Sequence, residues 1–386
     1  MANTVVVLGA GVGGLTAATR LRELLPDDDR VVLVDRSFDG VLGLSLLWVM
    51  RGWRDAEEVR VKPRELPGIE MRLGTVESID VTSRAVLTDR GVLTYDALVI
   101  ALGAQLAPSR IPNLTTAVDA GCAGEFYTLS GAAHLKDRFL DVDTGRVAVL
   151  VAGVPFKCPA APFEGAFLIA DLLRERGVRD AVTIDTFTPD PLPMAVAGPD
   201  VGKALVGMME EQGIGFHPGR TIDRIDLAGQ RMLFTDDTAE PFDFLVAVPP
   251  HRPSAAVVST GLGPNGWIPV DPRTLGTAVP GVWAIGDTSA LTLPNGKPLP
   301  KAAVFAEAEA EAAAAGVARH LGYDGPEPWF TGEGSCYVEI GGHRAAKGAG
   351  NFLDPPAPAV TLYEPSTAYH QEKQQQERDW LARWNT

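Results

Sequence analysis

The sequence is short of cysteine, of positive charge and of long apolar runs. Its three cysteines, Cys122, Cys158 and Cys336, are spread over 386 residues without metal-ligand spacing, so neither a disulfide framework nor a metal site is expected. The net charge of −15, from 34 basic and 49 acidic residues, disfavours binding to nucleic acid or to anionic lipid. No uncharged run approaches the roughly 20 apolar residues that a membrane-spanning helix needs.

The N-terminus also lacks the features of a signal peptide. An apolar strand begins at Val5, with no basic region and no cleavage site before or after it. We therefore expect a cytoplasmic protein, possibly peripheral at the inner membrane, and a periplasmic one only where a signal was removed. The composition, 46% hydrophobic and 22% charged, is that of an ordinary globular protein, and the length suggests two or three domains.

A glycine-rich loop lies between a predicted strand at residues 5–8 and a predicted helix at residues 15–25. It has the form G-x-G-x-x-G, with Gly9 for a tight turn, Gly11 for close approach to a pyrophosphate and Gly14 for helix–strand packing. The start of the helix offers N–H groups and a positive dipole end to phosphates. The pattern predicts a dinucleotide-binding domain, and the alternative is a glycine-rich turn in an ordinary α/β domain.

Further segments support this prediction and favour FAD as the dinucleotide. The second predicted strand ends in Asp35, about 20 residues beyond the glycines, where an acid can bind both ribose hydroxyls. Residues 95–104 resemble a strand-and-turn signature of flavoproteins with two dinucleotide domains. Residues 281–287 resemble their second FAD fingerprint, in which an aspartate contacts the ribityl chain. The candidate FAD contacts in these two segments are Gly103, Gly286 and Asp287.

The middle of the chain lacks the second glycine motif that would bind NAD(P)H. A buried parallel strand is predicted at residues 146–152, but a loop with one glycine, Gly153, and three prolines follows it. The prolines remove backbone donors that a pyrophosphate would need. Cys158 lies in this loop, at the carboxyl end of the strand where ligands usually bind in such sheets. A helix is predicted at residues 165–176.

Five segments together resemble the sulfide:quinone oxidoreductase and flavocytochrome c sulfide dehydrogenase family. Residues 157–164, KCPAAPFE, resemble its redox-cysteine loop, and residues 334–337, GSCY, its second redox cysteine. Residues 244–251 are similar to its strand ending in paired prolines, and residues 267–271 to the segment before the second FAD fingerprint. Residues 299–303 resemble its Pro-Lys turn before a helix. The resemblance covers nearly the whole chain.

The resemblance implies an α/β fold with two Rossmann-like dinucleotide-binding domains and a small C-terminal segment. The FAD-binding domain is expected to be discontinuous, at residues 1–110 and 258–325. The remodelled nucleotide-binding-like domain with the first redox cysteine is expected at residues 111–257. The C-terminal segment with the second is expected at residues 326–386.

The resemblance also implies a reaction. The family oxidises sulfide through a cysteine pair, here Cys158 and Cys336, to FAD and on to a quinone or a c-type cytochrome. From spacing alone, two unrelated buried thiols remain the simpler interpretation. The alternatives are an NAD(P)H-dependent flavoprotein, against which the missing glycine motif counts, and a non-catalytic flavoprotein, against which the cysteine pair counts. A sulfide or small-thiol substrate is expected, and a homodimer is possible.

Four further features carry predictions of their own. Glu164 is either a general base or a helix N-terminal acid, and Lys301 either neutralises the reduced flavin or is a surface lysine. Cys122 is predicted to be an inert thiol rather than a third redox cysteine. The flavocytochrome branch attaches FAD through a cysteine, but residues 41–44 contain none, so a non-covalent FAD is expected.

The C-terminal tail is the one candidate membrane contact. Trp380, Leu381 and Trp384 would share one face of a helix, and tryptophan favours the membrane interface. Because this face spans barely one turn, it predicts at most a weak peripheral contact, and docking on the protein's own body is the alternative.

Overall fold

The computed structural model of the chain describes residues 2–385. Within that range it contains nine α-helices: α1 (Val12–Leu24), α2 (Gly43–Arg51), α3 (Leu114–Asp119), α4 (Leu129–Leu140), α5 (Ala161–Glu175), α6 (Pro199–Glu211), α7 (Ala255–Val258), α8 (Ala303–His320) and α9 (Thr367–Trp384). Helices α1 and α5 begin three and four residues before their predicted starts, which places Glu164 in the first turn of α5.

The first domain is built on a parallel sheet of five strands. In spatial order they are β10 (Val282–Ala284), β4 (Ala97–Ile100), β1 (Thr4–Leu8), β2 (Arg30–Asp35) and β3 (Ile69–Leu73). All four neighbouring pairs are parallel, and the chain order 3-2-1-4 with β10 outermost is that of a dinucleotide-binding fold. The last strand comes from residues far along the chain, so this sheet is discontinuous in sequence.

The second domain repeats this architecture. Its five strands, in spatial order, are β5 (Ala123–Gly124), β9 (Phe244–Val248), β6 (Gly145–Val151), β7 (Val182–Phe187) and β8 (Ile214–His217), and all are parallel. Strands β6 and β9 are almost wholly buried and rich in valine, as parallel strands covered on both faces must be. The predicted Rossmann-like fold of both halves is therefore confirmed.

Short antiparallel strands complete these two domains. One three-stranded sheet comprises residues 76–80, 85–88 and 91–94, and another comprises residues 222–226, 231–234 and 239–241. Three two-stranded pairs join residues 40–41 to 60–61, 105–106 to 251–252, and 268–269 to 289–290.

The C-terminal segment forms an antiparallel sheet followed by a long helix. The strands are β11 (Glu333–Glu339), β12 (Ala345–Asn351) and β13 (Ala359–Ser366), in that order, and α9 packs against them. The Ser366 hydroxyl caps α9 by accepting a hydrogen bond from the Tyr369 N–H. Strand β11 carries Cys336 back towards the two parallel sheets.

The membrane interpretation of the tail is wrong. Trp380 and Trp384 are only 8% and 2% exposed, because they pack into the core of the first domain beside Phe352 and Leu353. Leu381 is partly buried against the same cluster. The two indole rings pack edge to face at 5.5 Å, so the apolar face of α9 is used inside the protein. In the part of the chain that the structure describes, no helix is long and apolar enough to cross a membrane.

Candidate active site

The loop after β1 has the close packing that its glycines predict. A Cβ atom at Gly14 would lie 1.7 Å from the Gly9 carbonyl oxygen, and one at Gly9, whose φ is +98°, would lie 2.5 Å from the Ala101 oxygen. A Cβ at Gly11 would instead meet no protein atom within 4 Å. Gly9 and Gly14 therefore hold the strand, loop and helix together, while Gly11 leaves an open cradle for a ligand.

Asp35 supports this loop from the end of β2. One carboxylate oxygen accepts a hydrogen bond of 2.8 Å from the Ala10 N–H. The other accepts hydrogen bonds from the Ser37 and Phe38 N–H groups, at 2.9 and 3.1 Å. Asp35 is therefore tied to the loop backbone, and its predicted ribose contact would use the remaining lone pairs of the same carboxylate.

The second FAD fingerprint faces the same cavity from β10. Gly286 and Asp287 form a short 3₁₀ turn, and both line the cavity together with Gly11 and Gly103. The Gly286 N–H donates a 2.5 Å hydrogen bond to Glu309, which is buried in α8. Burial raises the pKa of Glu309 to about 8, against the effect of this hydrogen bond. Glu309 thus fixes the turn that presents Asp287, and the sequence analysis missed it.

The redox-cysteine loop is attached to the segment that precedes α8. The Cys158 N–H donates a 2.7 Å hydrogen bond to the Lys301 carbonyl, and Lys157 and Lys301 form a parallel β-bridge. The Lys301 ammonium turns inward and donates to the carbonyls of Asp287, at 2.6 Å, and Ser289, at 3.1 Å. It also lies 4.0 Å from the centre of the Trp267 ring. Lys301 is thus a buried cation beside Asp287, and its effect on a reduced flavin stays a prediction.

Cys158 and Cys336 converge on one cavity although 178 positions separate them in the sequence. That cavity has a volume of about 330 Å³ and is also lined by Gly11, Asp287 and Lys301. Both sulfurs are free thiols in the structure. Burial, with Cys336 and Glu164 adding to it, raises the pKa of Cys158 far above its usual range. Burial and then Glu164 raise the pKa of Cys336 to about 11, so both thiols need a base to ionise.

A buried carboxylate and a buried amine stand beside these thiols. Glu164, 2% exposed, lines the same cavity and is paired with Lys373 of α9, which is 3% exposed. Burial raises the pKa of Glu164 to about 7, although the Lys373 ammonium opposes the shift. Burial lowers the pKa of Lys373, but Glu164 and Glu339 outweigh it and raise the pKa overall. Glu164 can therefore exchange a proton near neutral pH, as a general base must.

Two polar atoms near the cysteine loop have no partner among the described residues. The Tyr127 hydroxyl is one of them, and Tyr127 lines the cavity. The other is Nε2 of His251, whose ring packs edge to face on Tyr127 at 5.0 Å. Burial and then Lys157 lower the pKa of His251 to about 4, so this imidazole is neutral. A buried hydroxyl without a partner is a donor available to a bound ligand.

The remaining cysteine lies apart from this site. Cys122 packs against the core of the second domain, and its Sγ donates to the Ala117 carbonyl at 3.3 Å. Of the predicted FAD contacts, Gly9, Gly14 and Asp35 shape the loop, whereas the others line the cavity directly. Val41 and Gly43 also line it, where the flavocytochrome branch would have a cysteine.

The chain belongs to the pyridine nucleotide-disulphide oxidoreductase family, whose sequence profile matches residues 3–310. It is 28% identical over 276 residues to the sulfide-quinone reductase of Aquifex aeolicus, covering 68% of this chain and 61% of that protein. It is also 28% identical over 354 residues to an alternative NAD(P)H-ubiquinone oxidoreductase of Arabidopsis thaliana, covering 80% and 65%. The chain thus spans less than two thirds of the length of these curated relatives.

A solved structure establishes the fold over nearly the whole chain. The sulfide:quinone oxidoreductase of Aquifex aeolicus superposes with a TM-score of 0.86 at 22% identity, covering 98% of this chain and 91% of that one. With the family match, this confirms the fold and the resemblance that the sequence motifs indicated. The protein is an FAD-binding flavoprotein of this family.

The residues present fit FAD. The open space at Gly11 accepts a pyrophosphate at the start of α1, where a side chain would fill it. Asp287 and the unpartnered Tyr127 hydroxyl offer an acceptor and a donor further along the cavity. FAD would thus extend from Gly11 towards Lys301 and the two cysteines, which is the direction the redox chemistry requires.

We predict that Gly11→Val removes FAD without unfolding the protein, because its methyl groups would occupy the cradle and clash with no protein atom. Flavin absorbance per mole of protein should fall about tenfold or more while the far-ultraviolet dichroism is retained. Gly14→Ala is the matched control: its methyl group would clash with the Gly9 carbonyl, so we expect a lower unfolding temperature. Full FAD occupancy in Gly11→Val would contradict the assignment of the cradle.

Proposed function

We propose that the protein is an FAD-dependent dehydrogenase of sulfide or of a low-molecular-weight thiol. The observation that carries the proposal is the meeting of Cys158, Cys336 and Glu164 in the cavity that also contains the FAD cradle. Two cysteines from separate domains, with a buried carboxyl beside them, are suited to receive electrons from a sulfur donor. The identity to a sulfide-quinone reductase supports the same class of substrate.

The proposed reaction begins with the cysteines joined as a disulfide. A hydrosulfide ion attacks one sulfur, the bond between Cys158 and Cys336 breaks, and the other sulfur leaves as a thiolate. The attacked cysteine then holds a persulfide, so every atom and electron is accounted for. FAD, when bound, accepts two electrons at its isoalloxazine ring. Glu164 takes the proton that a neutral donor must lose, and the Lys373 ammonium keeps its carboxylate charged and in place.

The electron acceptor is proposed to be a quinone, with a c-type cytochrome as the alternative. The test of the whole proposal is anaerobic reduction of the purified flavoprotein by sulfide, followed by turnover with a short-chain quinone and separately with cytochrome c. Stoichiometric bleaching by sulfide and turnover with the quinone are the expected results. Sulfide that leaves the flavin oxidised would overturn the proposal, and turnover with cytochrome c alone would overturn the quinone assignment.

The pH dependence provides a test of Glu164. For a thiol donor with a pKa of about 8.5, the ratio of wild-type to Glu164→Gln reduction rates should rise as the pH passes 7. Above this pH the carboxylate can accept the donor's proton, whereas below it the protonated carboxyl cannot. We expect a ratio of about 100 at about pH 8 and a ratio near one at about pH 5.5, measured by anaerobic stopped-flow absorbance.

Glu164→Gln leaves the Lys373 ammonium buried without its partner, which alone could lower stability. The control is therefore the double variant Glu164→Gln/Lys373→Gln, which removes both charges. It should bind FAD and show the same flat ratio below and above pH 7. A ratio that does not change with pH in either variant would contradict the base assignment.

A further inference from the structure

A chain of buried ionisable groups follows the inner face of α9. His370, Lys373 and Glu377 occur at successive turns of this helix, and all three are buried. Glu339, which has no exposed surface, approaches them from β11, and Glu164 approaches from α5. Buried charged residues are rare and need partners, so this arrangement calls for an explanation.

The inner end of this chain is the cavity that contains the two cysteines. Glu164 lines the cavity and is hydrogen-bonded to the Lys373 ammonium. Lys373 lies 5.1 Å from the centre of the Trp48 ring, and the Trp48 indole N–H donates to Glu339 at 3.2 Å. Trp48 therefore forms the apolar wall past which Lys373 and Glu339 come near each other.

The outer end reaches solvent. Nδ1 of His370 donates to the Glu339 carboxylate, at 2.9 and 3.0 Å from its two oxygens. The ring of His370 lies 5.1 Å from that of His343, measured between centres. His343 is exposed in the turn between β11 and β12 and stacks on Trp53 at 4.6 Å. Groups that hold or pass protons therefore follow one another from the cavity to the surface.

The other charged groups of this region are fixed in ion pairs. Glu377 is paired with Arg54 at 2.7 Å, one turn further along α9. Arg51 at the end of α2 is paired with Asp171 of α5, also at 2.7 Å. Arginine does not release its proton, so these pairs set the local field and do not relay protons. The groups that face Glu339 and can exchange protons are thus Lys373 and His370.

We propose that Glu164, Lys373, Glu339 and His370 form a proton path between the active-site cavity and solvent at His343. Oxidation of one hydrosulfide ion to sulfane sulfur releases two electrons and one proton. FAD takes the electrons, and the proton must leave a cavity whose walls are largely apolar. Glu164 accepts it, Lys373 receives it while giving another to Glu339, and His370 passes one on to His343. What the path serves rests on the proposed function, but the path itself does not.

The path can be tested without any substrate, by hydrogen–deuterium exchange at the Glu164 carboxyl. The holoenzyme at about pH 6 is mixed into deuterated buffer, and the infrared band of the protonated carboxyl is followed as it shifts. Loss of that band in Glu164→Gln assigns it. We expect exchange to be about tenfold slower or more in His370→Asn, which keeps a donor towards Glu339 but cannot relay a proton.

Two further variants complete the experiment. His343→Asn should slow exchange in the same direction, and asparagine tolerates the left-handed backbone of this turn, where φ is +54°. His134→Asn alters an exposed histidine of α4 away from the path and should leave exchange unchanged. Added imidazole should restore exchange in His343→Asn. Wild-type exchange in both His370→Asn and His343→Asn would overturn the path.

A second measurement links the path to turnover. A pH indicator in the stopped-flow mixture should report proton release together with flavin bleaching in the wild type and a lag in His370→Asn. If sulfide does not bleach wild-type flavin, the proposed function fails while the exchange result still decides the path. If bleaching occurs and neither exchange nor proton release is slowed in His370→Asn, the path fails while the function stands.

Discussion

Replacing either Cys158 or Cys336 with serine is expected to abolish reduction of the flavin by sulfide while FAD stays bound. Serine cannot form the disulfide that the proposed reaction breaks, and neither cysteine shapes the loop at Gly11 that holds the pyrophosphate. We expect the anaerobic bleaching rate to fall about a thousandfold or more in each variant, as it does when one member of a cooperating catalytic group is lost.

The comparison of single and double variants makes this test specific. If the two sulfurs act as one unit, Cys158→Ser/Cys336→Ser should be no slower than either single variant. Cys122→Ser is the matched control, because Cys122 donates to the Ala117 carbonyl in a different cluster, and it should reduce at the wild-type rate. A single variant of the pair with wild-type bleaching would exclude the mechanism.

The cavity residues that sequence reasoning located are those fixed by short-range motifs. The glycines of the first loop and the Gly286-Asp287 turn are required by backbone geometry, and that geometry appears in the sequence as fixed spacings. Cys158 and Cys336 were paired by resemblance to a family, because no spacing links residues from two domains. The fold followed from the same signals, since strand, glycine loop and helix recur in order.

The residues that sequence reasoning missed are polar groups buried by tertiary packing. Lys373 and His370 belong to a stretch that reads as a solvated surface, and the burial of Glu339 depends on how β11 packs. One signal was present: buried positions in α9 alternate by three and four residues, at His370, Lys373, Glu377, Trp380 and Trp384. This seam ends in the two tryptophans, so it indicates a helix packed on the protein rather than on a membrane.

NADH is expected not to reduce the flavin at a useful rate, despite the similarity to an NAD(P)H-ubiquinone oxidoreductase. The start of α5, where a pyrophosphate would bind in the second domain, has no N–H groups to offer. Pro162 lacks one, the Ala161 N–H is bonded to the Cys158 carbonyl, and those of Phe163 and Glu164 are bonded to the Ala160 carbonyl. Leaving phosphate oxygens without two such donors costs about 3 kcal/mol, or about a hundredfold in affinity.

The measurement is an anaerobic titration of the holoenzyme with NADH, using dithionite to show that the flavin can be reduced. Pro162→Ala is the informative variant, because it restores one backbone donor at the start of α5. It should still not respond to NADH, since the neighbouring N–H groups remain bonded and the Glu164 carboxylate in the first turn repels phosphate. Rapid stoichiometric bleaching of the wild type by NADH would instead support the NAD(P)H-dependent alternative. The cysteine cavity would then need another explanation.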